Sequence, residues 1–248
     1  MRLLILGGTT EASALARRIA ARQDLAPMLS FAGRTRNPVP PPIPFRVGGF
    51  GGVIGLGSYL VEERIDAVID ATHPFAAQMS RNAAAACRAL TMPLVRLTRP
   101  AWRPLDGDRW TSVSDIDAAA RALGDRARRV LLTIGGLQLA AFAAAAHHHY
   151  VVRTIDPPDA IRALPSHRLV LARGPFRVED EISLLRDERI EVLVSKNSGG
   201  AATGAKIAAA RELGVGVIMI ERPAAEDVET FDTVDAVLAW IEAHRTAP

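Results

Sequence analysis

The chain has 248 residues, 49% hydrophobic and 23% charged, which excludes a disordered or fibrous protein and suits one large domain or two small ones. A net charge of +3 and a pI near 9.6, with no dense basic run, argue against a nucleic-acid partner and suit a small anionic ligand. The single Cys87 excludes an internal disulfide, and no apolar run reaches the ~20 residues of a membrane span. With Gly7 and Gly8 cutting short the apolar start, neither a secretory leader nor a membrane partner is expected, and the expected compartment is the cytoplasm.

In chain order, strands are predicted at residues 3–6, 27–31, 45–47, 67–69 and 94–97, with helices at 11–22, 57–63 and 75–90. The prolines at 38, 40, 41, 42 and 44 make a stiff extended connector. Residues 98–109 carry Pro100, Pro104 and Gly107 and no periodicity, and read as a link. Beyond it, strands are predicted at 130–133, 150–152, 169–172, 192–195 and 217–220, and helices at 137–145, 178–186, 201–213 and 234–244. Repeated strand–helix alternation implies an α/β protein of two Rossmann-like lobes, residues 1–98 and 110–248, each a parallel sheet with helices on both faces.

The candidate chemistry falls at predicted strand ends. Gly7-Gly8-Thr9-Thr10-Glu11 follows the first strand. Glycine there lets a pyrophosphate approach the backbone, and the helix N-terminus offers free N–H groups. The spacing departs from G-x-G-x-x-G, and a plain capped turn is the alternative. Gly33-Arg34-Thr35-Arg36 follows the second strand, where an acid would read a ribose hydroxyl; Arg34, Thr35 and Arg36 suit a 2′-phosphate instead. Gly48-Gly49-Phe50-Gly51-Gly52 leaves bare backbone after the third strand, placing Gly49, Gly51 and Gly52 as ligand-facing candidates. Asp70-Ala71-Thr72-His73-Pro74 ends the fourth, so Thr72 and His73 are candidates beside the ligand and His73 for proton donation, against a helix cap plus a structural histidine.

In the second half, Ser195-Lys196-Asn197-Ser198-Gly199-Gly200, followed by Thr203 and Lys206, forms a candidate anion cradle. Both of the chain's lysines lie in it, whereas the other basic residues are arginines. Thr133-Ile134-Gly135-Gly136 is a further strand-end turn, and Arg173 is a candidate carboxylate partner. His147, His148 and His149 are consecutive, which disfavours a shared metal, and are read as a solvent loop. No metal is expected. Cys87 is read as packing.

Taken in order, GGTTEA (7–12), GRT (33–35), GGFGG (48–52), DATHPFA (70–76), RLTRPAW (96–102), LVSKNSGG (193–200) and T-x-x-K (203–206) resemble the precorrin-6A and cobalt-precorrin-6A reductase family over nearly the whole chain. The resemblance implies two lobes with the active site in the cleft between them. It implies NADPH as cofactor and a tetrapyrrole, precorrin-6A, as the small-molecule substrate. The first lobe would hold NADPH through Gly7, Gly8, Thr9, Thr10, Glu11, Arg34, Thr35 and Arg36. The glycines at 49, 51 and 52 and Thr72–His73 would border the nicotinamide. The second lobe would bind substrate carboxylates through Lys196, Asn197, Ser198, Gly199 and Thr203, with Arg96, Arg99 and Arg173 as further candidates. His73 and Lys196 are the catalytic candidates, with water as the third possible proton source.

Two other readings compete. A non-catalytic NADPH sensor explains the first lobe and leaves the lysine turn idle. An adenosylmethionine-type transferase predicts an acid after the second strand, where this chain has Arg34-Thr35-Arg36.

Overall fold

The computed structural model describes residues 1–33 and 39–245, so Arg34, Thr35 and Arg36 lie outside the described residues. Along the chain run β1 (Arg2–Leu6), α1 (Thr10–Ile19), β2 (Ala26–Phe31), β3 (Phe45–Val47), α2 (Gly52–Glu62), β4 (Ala67–Asp70), α3 (Ala77–Ala89) and β5 (Leu94–Leu97). Next come β6 (Trp110–Val113), α4 (Ile116–Ala122), β7 (Arg129–Thr133), β8 (His149–Thr154), β9 (His167–Leu171), α5 (Val178–Asp187), β10 (Val192–Lys196), α6 (Ala205–Leu213) and β11 (Gly216–Ile220). The chain closes with β12 (Thr230–Phe231) and α7 (Val234–Arg245).

Two compact units result, Met1–Pro100 with Pro223–Pro248, and Ala101–Arg222. The first holds a parallel sheet in the order β12-β5-β4-β1-β2-β3. Period-2 alternation along β1 explains its two cores. Leu3 and Ile5 face α1 and α7, joining Leu15, Ile19, Val237 and Ile241. Leu4 and Leu6 face the other way, onto Leu56 and Leu60 of α2 and Ala83 and Cys87 of α3. Burial and the nearby Asp70 push the Cys87 thiol up to about 12, so it is an inert packing group.

The second unit repeats the pattern, with parallel order β6-β11-β10-β7-β8-β9. Leu131, Val151, Leu193, Val217 and Met219 pack against Leu185 of α5 and Ile207 and Ala210 of α6. In both units the chain runs outward from a central strand and then reverses to that strand's other side, between β1 and β4 and between β7 and β10. Such a reversal leaves a crevice at the carboxyl ends of the strands, the usual place for ligands in open α/β sheets.

The structure corrects four expectations. The second domain does not run to residue 248: β12 pairs with β5, and Trp240 and Ile241 of α7 fill the first unit's core. The link read at 98–109 is followed by a strand, β6, that forms an edge of the second sheet. The helix expected at 137–145 is a 3-10 segment, Gly136–Ala145. His148 is 1% exposed rather than in solvent; its Nδ1 accepts from the Arg128 N–H at 3.2 Å and its ring lies 4.0 Å from that of His147.

Burial, aided by His147 and Arg128, holds the His148 pKa below its ordinary value. The unfolded chain therefore binds a proton that the folded chain refuses, so this contribution is complete above the unfolded pKa of ~6.5 and is lost as pH falls below it. Thermal midpoints measured from pH 8 to pH 5 are expected to fall less steeply for His148→Asn, which keeps an acceptor and does not titrate. Parallel curves would show that His148 carries none of the acid sensitivity.

Candidate functional site

At the carboxyl end of β1, Gly7 packs so tightly that an added Cβ would lie 2.6 Å from Leu29 Cδ1. Gly8 takes a φ of +115°, and an added Cβ there would meet nothing within 4 Å, so its side toward the crevice is open backbone. Thr9 caps α1 by accepting from the Ala12 N–H at 3.1 Å, and its hydroxyl donates to the Ala71 carbonyl at 2.8 Å. It thereby ties the end of β1 to the end of β4, across the reversal point. Its hydroxyl has a structural task, while the first turn of α1 presents the N–H end of a helix.

Glu11 sits in that first turn. Its Oε2 accepts from Arg99 Nη1 at 2.7 Å, and Thr10 donates to Oε1 at 3.0 Å. Burial alone would raise the Glu11 carboxyl, yet the Arg99 charge and the hydrogen bonds around it hold it below the usual range. The side chains of Arg99 and Glu11 are only 13% and 20% exposed, so the pair is largely withdrawn from water.

After β3, the glycine loop is held by Arg46, which the sequence reading missed. Its guanidinium donates to Ser30 Oγ at 2.8 Å, to the Gly48 carbonyl at 2.9 Å and to the Gly49 carbonyl at 3.1 Å. It also stacks 4.1 Å from the Phe50 ring centroid. Gly51 and Gly52 have φ of +79° and +87°, and added Cβ atoms at 49, 51 and 52 would meet nothing within 4 Å. The loop is thus fixed underneath and bare on top.

The end of β4 is a buried polar knot. Asp70, 3% exposed, accepts from the Thr72 N–H at 3.1 Å, from the Thr72 hydroxyl at 2.6 Å and from the Ser80 hydroxyl at 2.6 Å. Thr72 therefore turns inward, 7% exposed, rather than toward a ligand. His73, half-buried, accepts at Nδ1 from the Phe75 N–H at 3.2 Å. An Nδ1 that accepts leaves Nε2 as the proton-bearing nitrogen of a neutral ring. Arg96, Asp70's neighbour on β5, is 9% exposed, and its Nε has no partner among the described residues.

In the second unit, Thr133 at the end of β7 donates to the Val194 carbonyl of β10 at 3.1 Å, the counterpart of the Thr9 bridge. Asn197 is 3% exposed and fully engaged. Its Oδ1 accepts from the Trp102 N–H at 2.8 Å, and its Nδ2 donates to the Trp102 carbonyl at 3.1 Å and to Glu221 at 3.3 Å. Arg222 donates to the carbonyls of Asn197 (2.9 Å) and Ser198 (3.0 Å), and the Trp102 indole N–H to that of Gly200 (3.0 Å). Lys206, 5% exposed, donates to the Thr203 carbonyl at 2.8 Å and lies 4.8 Å from the Trp102 ring centroid.

The expected cradle thus divides. Asn197 and Lys206 build it, supported by Trp102, the last residue of RLTRPAW, and by Arg222, which no local motif announces. Lys196 and Ser198 remain half-buried on the turn, and Gly199, which follows them, is buried. Arg173 is exposed beyond β9.

Six parallel strands per sheet, reversed at a glycine turn with a helix N-terminus beside it, define a Rossmann-like α/β protein. A family model described as "Precorrin-6x reductase CbiJ/CobK" matches residues 2–242. The chain is 50% identical over 247 residues to the Precorrin-6A reductase of Rhodobacter capsulatus, covering 100% of this chain and 98% of that one. It is 30% identical over 190 residues to the Cobalt-precorrin-6A reductase of Priestia megaterium, covering 73% and 74%. A solved structure titled "CobK precorrin-6A reductase" superposes with a TM-score of 0.95 at 49% identity, over 100% of this chain and 98% of the other. The chain belongs to the precorrin-6x reductase family and is a reductase. No helix among the described residues is long and apolar enough to cross a membrane.

Proposed function

We propose that the chain reduces one double bond of the precorrin-6A macrocycle with NADPH, giving precorrin-6B in cobalamin biosynthesis. The observation that carries this reading is the end-to-end likeness to precorrin-6A reductases at half identity, against a partial likeness to a cobalt-substrate enzyme. The first unit fits a nicotinamide dinucleotide: Gly8 opens its backbone beside the N-terminus of α1, and Gly49, Gly51 and Gly52 form a bare shelf after β3. Bound there, the cofactor supplies the hydride.

The protein's part is to hold and to protonate. Gly7, Gly8 and the first turn of α1 bind the diphosphate, and Arg34, Thr35 and Arg36 read the 2′-phosphate. His73 delivers the proton from Nε2 to the carbon beside the one reduced. Lys196 and Ser198 hold a substrate carboxylate, with Arg173 as a further cation. Much of the rate then comes from holding donor and acceptor carbons ~3–3.5 Å apart.

The test is oxidation of NADPH, followed at 340 nm, with precorrin-6A, and with NADH and cobalt-precorrin-6A in parallel. Turnover with precorrin-6A and NADPH is expected to exceed every other combination; NADPH binding with no turnover of either macrocycle would restore the sensor reading. Replacing both Arg34 and Arg36 with Ala is expected to raise the Kd for NADPH roughly 100-fold, as two charge-assisted phosphate contacts are lost, and to leave NADH within about threefold. Equal weakening of both nucleotides would remove the 2′-phosphate assignment.

A further inference from the structure

The pair formed by Arg99 and Glu11 is the most informative departure from expectation. Arg99 follows β5, and Glu11 lies in α1, which follows β1. In the sheet β4 lies between those strands. The Arg99 side chain thus joins the end of β5 to the start of α1, two strands away, closing on Glu11 at 2.7 Å. A carboxylate in the first turn suits the helix dipole of the free protein. It does not suit a diphosphate, whose negative charge is drawn to the same helix end. With its side chain only 20% exposed, Glu11 is poorly screened by water, so its repulsion of a bound anion would be felt unless a cation cancels it.

We propose that Arg99 is a charge-compensating, positioning residue of the diphosphate site, neutralising Glu11 so that an anion can dock at the N-terminus of α1, rather than a ligand of substrate carboxylates. The inference rests on the proposed NADPH reading. It makes a prediction of sign that a merely structural ion pair does not. In a structural pair, loss of either partner harms the site alike. In a compensating pair, loss of the cation harms anion binding, and loss of the carboxylate relieves it.

The experiment is titration of the full-length wild type, Arg99→Ala, Glu11→Gln and the double variant with NADPH, followed by the fluorescence of the reduced nicotinamide. KM for precorrin-6A is measured alongside. Arg99→Ala is expected to raise the NADPH Kd about tenfold, the size of one uncompensated charge near a half-buried anion. Glu11→Gln is expected to hold the Kd or lower it by about twofold, and the double variant to recover most of the loss. Should Arg99→Ala fold poorly, the Glu11→Gln result and the double variant still decide the matter. An equal loss in Glu11→Gln and Arg99→Ala overturns the inference, as does a change confined to the substrate KM. Failure of the wild type to bind NADPH overturns the functional reading, and the inference with it.

Discussion

Replacing Arg153 with Ala is expected to cost the second unit about 3–5 kcal/mol, the usual effect of leaving a buried carboxylate without its cation. Arg153 on β8 pairs through Nη1 with Glu181 Oε1 of α5, and the two side chains are 6% and 1% exposed. The guanidinium also lies 4.0 Å from the Phe176 ring centroid. Glu181 Oε2 already has no partner among the described residues, so no second donor stands ready. The thermal midpoint should fall by roughly 12–20 °C for a unit of this size. Arg153→Ala with Glu181→Leu should recover much of that loss, because the charge and its desolvation go together. Calorimetry of both variants checks this, and a double variant no better than the single would show that packing on Phe176 outweighs the charge.

Gly55→Ala is the second large effect. Gly55 lies one turn into α2, and a Cβ built there would stand 1.7 Å from the carbonyl oxygen of Phe50 and 2.9 Å from its carbon. Backbone cannot yield as a flexible side chain would, so the loop that Arg46 holds by the carbonyls of Gly48 and Gly49 has to move. A loss of about 2–3 kcal/mol is expected from the overpacking, with a rise of at least about tenfold in the NADPH Kd if the bare shelf is displaced. Gly57→Ala is the control. Nothing lies within 4 Å of its added Cβ and its φ is unremarkable for a helix, so it should gain about 0.5–1 kcal/mol. Denaturant midpoints and nucleotide titrations of both variants separate the clash from any general effect of glycine removal.

The strands buried on both faces were the easiest part to read, because Leu3–Leu6 or Val192–Val194 admit few other fates. Helix α2 is longer than expected, beginning at Gly52 rather than 57. Glycines at 52, 55 and 57 argue locally for a loop, and only the Phe50 carbonyl pressed against Gly55 explains why the helix needs the one at 55. Strands β6 and β12 escaped for different reasons: the first is an exposed edge with little alternation, the second has two residues. At the site, the positions of the glycine turns were legible, since φ and bare backbone depend on residue type. The side-chain tasks were not. Thr9, Thr72 and Asn197 had the right chemistry to meet a ligand, yet each spends it on a neighbouring strand or turn. Arg46 and Arg222 act on carbonyls that sequence spacing does not reveal.

The return of β12 and α7 to the first sheet bears on how the protein is made. When residues 1–100 have left the ribosome, one edge strand and the helix carrying Val237, Trp240 and Ile241 do not yet exist. The intervening unit, Ala101–Arg222, takes on the order of ten seconds to synthesise. During that interval β5 is an unpaired edge, and the apolar face destined for α7 stays uncovered. The second unit is the one whose strands are all present first, so it can complete its sheet while the first still waits for its last piece.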